Sequence, residues 1–280
     1  MTPWKTLVQA EDLAARHGDG ALAIIDCRFA LSDPTAGENA YRQAHIPAAL
    51  YAHLDRDLSD HRKHGQGRHP WPDATDFTAT LGTWGVTPET QVVAYDDSDG
   101  AYAARLWFLL RALGHEAVAV LDGGWLRWTA LGLPTEDAIR TPQVTRYDVQ
   151  FDTDLLVDAQ QVQAHLGDGG MLVDARAAER FRGEVEPLDR VAGHVPGAVN
   201  RPYAHNLSEG RFKPAAKLRK EFDALLVQHD ADEVVAMCGS GVTACHHLLA
   251  MTHAGLPGAR LFTGSWSGWI SDPERTIATG

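Results

Sequence analysis

The sequence predicts an α/β protein of two tandem domains, each a mainly parallel sheet with helices on both faces. The first observation is internal repetition. AIIDCR at 23–28 returns as MLVDAR at 171–176, AHIPAAL at 44–50 as GHVPGAV at 193–199, VVAYDDSDG at 92–100 as VVAMCGSGV at 234–242, and LDGGWLRW at 121–128 as FTGSWSGW at 262–269. Four matched segments in one order signal a duplicated unit. The second observation is alternation: short apolar, β-branched runs are separated by helical patterns, which implies parallel strands covered on both faces. The third is size, since 280 residues with 44% hydrophobic content support one or two well-buried cores.

The elements follow in order. In the first half, LAIID at 22–26, QVVAY at 91–95 and AVAVLD at 117–122 read as strands, with AYAARLWFLLRALG at 101–114 as a helix between the last two. The stretch LGLPTEDAIRTPQVTRYDVQ at 131–150 is polar, proline-marked and without either period. The seam is therefore placed there, giving a first domain at 1–138, a linker at 139–151 and a second domain at 152–280. In the second half, MLVDA at 171–175, EVVAM at 233–237 and ARLFT at 259–263 are strands, and ACHHLLAMTHAG at 244–255 is a helix closed by glycine.

The net charge of −12 and a pI near 5.5 argue against a nucleic-acid or anionic-membrane partner. No apolar run reaches the ~18 residues of a membrane span, and the first residues lack a signal core, so a cytoplasmic protein is expected. The three cysteines, Cys27, Cys238 and Cys245, are too few and too scattered for a disulfide framework and are expected as thiols.

In open α/β sheets chemistry collects beyond the carboxyl ends of the strands. Cys238 falls there, between the strand EVVAM and the helix that follows the turn CGSGVT. Gly239 and Gly241 are expected to adopt backbone angles barred to other residues and to turn N–H groups inward as an anion-binding nest. With the helix N-terminus, such a nest favours a thiolate. Most free cysteines are inert core residues, and Cys27 and Cys245 are read that way. The small side chains beside Cys238 set it apart. A zinc cluster of Cys238, Cys245, His246, His247 and His253 is disfavoured, because no C-x-x-C pair occurs and adjacent helix residues point ~100° apart. A thiolate-phosphatase loop needs an arginine six residues beyond the nucleophile, and Ala244 stands there.

The duplicated halves, together with GHVPGAVN, GHEAVAVLDGGW and CGSGVTA, resemble the two-domain rhodanese sulfurtransferases over nearly the whole chain. The resemblance implies two rhodanese-like domains with the active site between them. Cys238 is then the sulfur-carrying residue, and the first half is non-catalytic because Asp96 stands at the cysteine position. The uncharged CGSGVT loop resembles that of the mercaptopyruvate type, which implies 3-mercaptopyruvate as donor and thiosulfate as a poorer one. A thiol such as thioredoxin, or cyanide in an assay, is the implied acceptor, with no metal or organic cofactor.

The resemblance further implies that Ser240 works with His69 of GRHPWP and an acidic residue; HLDRDLSD places Arg56 about where that carboxylate would align, with Asp55 and Asp57 beside it, and Asp57 is taken. The alternative role of Ser240 is a helix cap. Arg180 and Arg190 are the implied carboxylate-binding arginines, with Arg182 as a neighbouring surface residue, and Gly239, Gly241, Val242 and Thr243 form the donor's cradle. Asp26 and Asp174, each closing a strand before an arginine, read as repeated loop anchors. Trp125, Trp128, Trp266 and Trp269 read as repeated core residues. The competing function is a non-catalytic rhodanese module that binds a partner.

Overall fold

The protein is described from a computed structural model, which covers residues 2–16 and 18–280. It forms two compact units, Met1–Ser59 with Pro72–Asp152, and Asp60–Trp71 with Thr153–Gly280.

In the first unit the chain runs β1 (Leu7–Val8), α1 (Ala10–Ala15), β2 (Leu22–Asp26), α2 (Ala36–Gln43), β3 (Leu50–Tyr51), α3 (Leu54–Asp57), α4 (Ala74–Thr83), β4 (Gln91–Tyr95), α5 (Ala101–Ala112), β5 (Val118–Leu121) and α6 (Gly124–Ala130). The sheet order among the described residues is β1-β5-β4-β2-β3, and every pairing is parallel. Strand side chains alternate between faces. Ile24, Val93, Tyr95, Ala119 and Leu121 therefore pack together with Leu13, Tyr41 and Trp128. Their sequence neighbours Ile25, Val92, Ala94, Val118 and Val120 are equally buried. Burial on both faces explains why these strands read as unbroken apolar runs.

The second unit repeats the plan with β6 (Leu156–Val157), α7 (Ala159–Gly167), β7 (Met171–Asp174), α8 (Ala178–Phe181), β8 (Val199–Asn200), β9 (Leu207–Ser208), β10 (Arg211–Phe212), α9 (Ala215–Leu226), β11 (Val234–Met237), α10 (Thr243–His253), β12 (Arg260–Phe262) and α11 (Ser265–Trp269). Its parallel sheet has the order β6-β12-β11-β7-β8, the same winding as the first, while β9 and β10 make a separate antiparallel pair. Val157, Leu172, Val235, Met237, Phe262, Trp266 and Trp269 form the core of one face.

The repeated Asp-x-Arg is a buried structural device. The Arg28 guanidinium donates to Asp26 at 2.6–3.1 Å and to the Ala44 carbonyl at 2.7 Å, and it lies 4.5 Å from the Trp125 ring centre. In the second unit Arg176 donates to Asp174 at 2.7–3.1 Å and to the Gly193 carbonyl at 2.8 Å, 4.8 Å from the Trp266 ring. Each cluster ties the end of a strand to a distant loop and satisfies its charges internally, with the tryptophan face covering the guanidinium. Trp128, Trp266 and Trp269 are buried, and their indole N–H groups donate to the carbonyls of Pro134, Val191 and Thr276.

Two segments lack a legible period. Residues 139–151, expected as a linker, run along the first unit: the Thr145 N–H donates to the Gly82 carbonyl at 3.0 Å, the Thr145 hydroxyl donates to Val86, and the Tyr147 hydroxyl meets His115 Nδ1 at 2.9 Å. Residues 60–71 lie inside the expected first domain by position yet pack with the second unit. The segment closes on itself through the Asp60 N–H to Pro70, and the Ser271 hydroxyl donates to Gly65. Gly67 has φ +98°, and a β-carbon there would stand 2.6 Å from the Gly264 carbonyl oxygen. That close backbone approach requires glycine.

Candidate active site

The site grows from the end of β11. Cys238 follows Met237 directly, and the turn Gly239–Val242 leads into α10. Gly241 takes the left-handed conformation, φ +80°, and its N–H donates to Cys238 Sγ at 3.1 Å. The Cys245 thiol donates to the Gly241 carbonyl at 3.2 Å. Helix α11 fixes the other side of the turn: Trp266 and Ser267 N–H groups donate to the Cys238 and Gly239 carbonyls, and the Cys238 N–H donates to Ser265 Oγ. Cys238 is only 2% exposed, so its sulfur is held in a defined place. Val242 is buried behind the turn, and Thr243 opens the helix half-buried.

Gly239 departs from the expectation that both glycines supply unusual angles. Only Gly241 has positive φ. Gly239 instead supplies space, since a β-carbon there would lie 3.2 Å from Arg68 Nη2 and 3.5 and 3.6 Å from Arg180 Nη2 and Nη1. Two guanidinium groups thus meet the residue next to the nucleophile candidate.

Ser240 pairs with His69, Oγ to Nδ1 at 2.8 Å, and both side chains are buried. Val242 takes the cap position of α10 with no side-chain cap, so Ser240 does not serve as one. His69 belongs to the 60–71 segment, and the pair therefore forms inside the second unit rather than between the expected domains. Asp57 lies in the first unit, where its carboxylate accepts from the His53 N–H at 2.7 Å and from the Arg56 guanidinium at 3.1 and 3.2 Å.

Arg180 donates to Glu186 through Nε at 3.2 Å and Nη2 at 2.6 Å, and to Asp189 at 3.3 Å. Arg68 Nη1 donates to the other oxygen of Asp189 at 2.7 Å. Burial raises the Asp189 carboxyl above its ordinary range against the pull of Arg68. For Glu186 burial acts the same way, but Arg180 and the N–H groups of Leu188 and Asp189 outweigh it and hold the carboxyl low. Arg190 is engaged differently, donating to the Ile270 carbonyl. Arg182 pairs with Glu184 at the surface. Arg68, Glu186 and Asp189 were not singled out from sequence. The available signals were the arginine directly before His69 and the acidic run EVEPLD ahead of Arg190.

The first unit holds a counterpart in chemical terms. Asp96 accepts from the N–H groups of Ser98, Gly100, Tyr102 and Ala103 at 2.8–2.9 Å. The strand-turn-helix loop of this fold is thus an anion cradle, filled here by the chain's own carboxylate. Burial nevertheless pushes the Asp96 carboxyl up to about 6, against those donors. Cys27 is buried, and desolvation with nearby Asp96 and Asp26 pushes its thiol well above the usual range, which suits an inert residue.

His246 and His247 do not face Cys238 as a ligand pair. Both present Nδ1 to the Asn206 amide nitrogen, at 3.0 and 3.1 Å, and His246 stacks on Phe212.

A model of the rhodanese-like domain matches residues 9–131 and 158–272. A probable 3-mercaptopyruvate sulfurtransferase of Pseudomonas aeruginosa is 50% identical over 98% of both chains. A putative thiosulfate sulfurtransferase of Mycobacterium tuberculosis is 40% identical over 99% of this chain and 98% of its own. The solved 3-mercaptopyruvate sulfotransferase SseA of Escherichia coli superposes with a TM-score of 0.80 at 31% identity, covering 94% of this chain and 100% of that one. Two matched halves, one winding and relatives spanning the full length establish that the chain belongs to the rhodanese-like family, with the domain present in two tandem copies.

Proposed function

We propose that the protein is a sulfurtransferase that takes sulfur from 3-mercaptopyruvate, carries it as a Cys238 persulfide and passes it to a thiol, with thioredoxin the kind of acceptor expected. The observation that carries the reading is the Gly241 N–H on Cys238 Sγ at 3.1 Å beside the buried Ser240–His69 pair. A main-chain donor aimed at sulfur favours the anion, and covalent catalysis needs that anion as nucleophile.

The steps balance with these parts. Cys238 thiolate attacks the donor sulfur, a sulfur–sulfur bond forms and the carbon–sulfur bond breaks. The electron pair stays on the donor carbon as the enolate of pyruvate. Ser240, exchanging a proton with His69, supplies it to that carbon and is recharged by the proton from the donor thiol. The outer sulfur then sits in the turn before α10, where the N–H groups of Ser240, Val242 and Ala244 stand at the repeat positions of three of the four Asp96 donors, the fourth position being Cys245, whose N–H donates to the Val242 carbonyl. An acceptor thiolate attacks this sulfur and frees Cys238. Arg180 provides positive charge for the donor carboxylate.

Thiosulfate is the second donor. Two guanidinium groups beside Gly239 suit a doubly charged anion, and one relative is named a putative thiosulfate sulfurtransferase. Steady-state assays with each donor test the reading: pyruvate release that depends on Cys238, with higher kcat/KM for 3-mercaptopyruvate, supports it. Higher kcat/KM for thiosulfate reverses the donor assignment, and no turnover with either leaves the partner-binding module.

A further inference from the structure

We infer that Ser265 is a positioning residue for Cys238, its hydroxyl holding the cysteine N–H so that Sγ is aimed at the Gly241 N–H; the catalytic consequence rests on the sulfurtransferase reading above. Ser265 is fully buried and takes φ +50°, the left-handed region that a residue with a β-carbon seldom occupies. Such strain persists only where the surroundings impose it, and it gathers at functional sites. The hydroxyl sits where the sheet ends. β12 stops at Phe262 beside β11, and Ser265 Oγ accepts from the Cys238 N–H at 3.1 Å while donating to the Phe262 carbonyl at 3.0 Å. One hydroxyl thus bridges the ends of two neighbouring strands and gives the buried Cys238 N–H its acceptor.

The repeat separates the backbone angle, which belongs to the fold, from the hydroxyl, which does not. Ser265 stands at the position of Gly124, φ +52°, in the matched segments FTGSWSGW and LDGGWLRW. In the first unit glycine is required there, since a β-carbon would stand 2.2 Å from the Asp96 carbonyl oxygen. The unit whose turn holds its own carboxylate therefore uses the unstrained residue, and the unit whose turn presents a thiol keeps the strained one. The next residue makes the same bond in both: the Trp125 N–H donates to the Asp96 carbonyl at 2.9 Å and the Trp266 N–H to the Cys238 carbonyl at 3.0 Å. What serine adds is the grip on the Cys238 N–H. With both backbone groups of Cys238 held, the direction of its Cα–Cβ bond is fixed, and Sγ meets the Gly241 N–H at 3.1 Å.

The test compares parent, Ser265→Gly and Ser265→Ala by the pH profile of iodoacetamide alkylation at Cys238, followed by peptide mass, with kcat/KM for 3-mercaptopyruvate and for thiosulfate and with urea midpoints. Ser265→Gly removes the hydroxyl and the strain together. Its urea midpoint should stay near the parent's, while the alkylation profile moves to higher pH by about half a unit or more and kcat/KM falls about ten- to a hundredfold. Both donors should lose alike, because the group disturbed is the sulfur and not the donor. Ser265→Ala keeps the strain and strands the N–H, so the same kinetic loss should come with a lower urea midpoint. An unchanged or faster alkylation profile in Ser265→Gly, or a loss of kcat/KM that is absent or confined to one donor, overturns the inference. Failure of Ser265→Gly to fold would make the hydroxyl a folding element and overturns it as well. Parent protein that transfers no sulfur from either donor overturns the sulfurtransferase reading, and the alkylation profiles still decide the role of Ser265.

Discussion

Single side chains in this site act through proton and charge placement, and their effects should separate by donor. Breaking the carbon–sulfur bond of 3-mercaptopyruvate leaves a carbanion that needs a proton, whereas thiosulfate releases sulfite, which does not. Ser240→Ala and His69→Ala should therefore each lower kcat with 3-mercaptopyruvate by about 10²–10⁴-fold and affect thiosulfate turnover far less. The double variant should lose no more than the worse single, because the two share one hydrogen bond. Equal losses with both donors would assign the pair to support of the turn. Gly239→Ala probes space rather than backbone angle: its β-carbon crowds Arg68 and Arg180, so KM should rise severalfold while the folded state keeps its stability. Cys238 and Ser240 were legible in the sequence because strand, small residues and helix signals are local. Arg68 was not, because its approach to Gly239 comes from where a glycine-bent segment folds back, which no periodicity records.

At the level of one element, α10 shows how a readable helix can hide its chemistry. Its apolar spacing marks it in the sequence, but the burial of His246 and His247 depends on Asn206, a partner from a remote loop. Burial holds the His247 ring well below its ordinary range. The unfolded chain takes up a proton near the usual histidine value while the folded chain does not. This contribution to stability is therefore full above about pH 6.5 and lost below it, by ~1.4 kcal/mol per pH unit while the folded ring stays neutral. Asp96 works in the opposite sense: its folded value near 6 lies above the unfolded one, so its contribution is largest below about pH 4 and fades as pH rises to 6. Urea midpoints at pH 7.5 and 5.5 for parent and His247→Gln isolate the histidine, and the variant should lose less on acidification. Equal losses would mean that His247 is protonated in the fold. In the turn before α10, Gly241→Ala should cost ~1–2 kcal/mol for its left-handed angle and slow Cys238 alkylation as the N–H swings away from sulfur.

Across the whole molecule, duplication made the architecture legible: four repeated segments fixed two sheets of equal winding before any contact was known. The same repeats hid the assignment of residues 60–71, because position in the chain does not reveal which unit a loop packs with. The Asp-x-Arg clusters were readable as anchors, and their strength follows from burial. Asp26→Ala or Asp174→Ala strands a buried guanidinium and should cost ~3–5 kcal/mol in chemical denaturation, and a loss under 1 kcal/mol would show the cluster to be dispensable. One scaffold thus bears two loops, a cradle closed by Asp96 and a cradle that presents Cys238. The central claim, that Cys238 carries sulfur, is tested most directly by intact-mass measurement after incubation with 3-mercaptopyruvate without acceptor. The parent protein should gain one sulfur atom, lose it on adding cyanide or a thiol, and gain none as Cys238→Ser. A parent protein of unchanged mass, or a sulfur gain that persists in Cys238→Ser, would contradict the account.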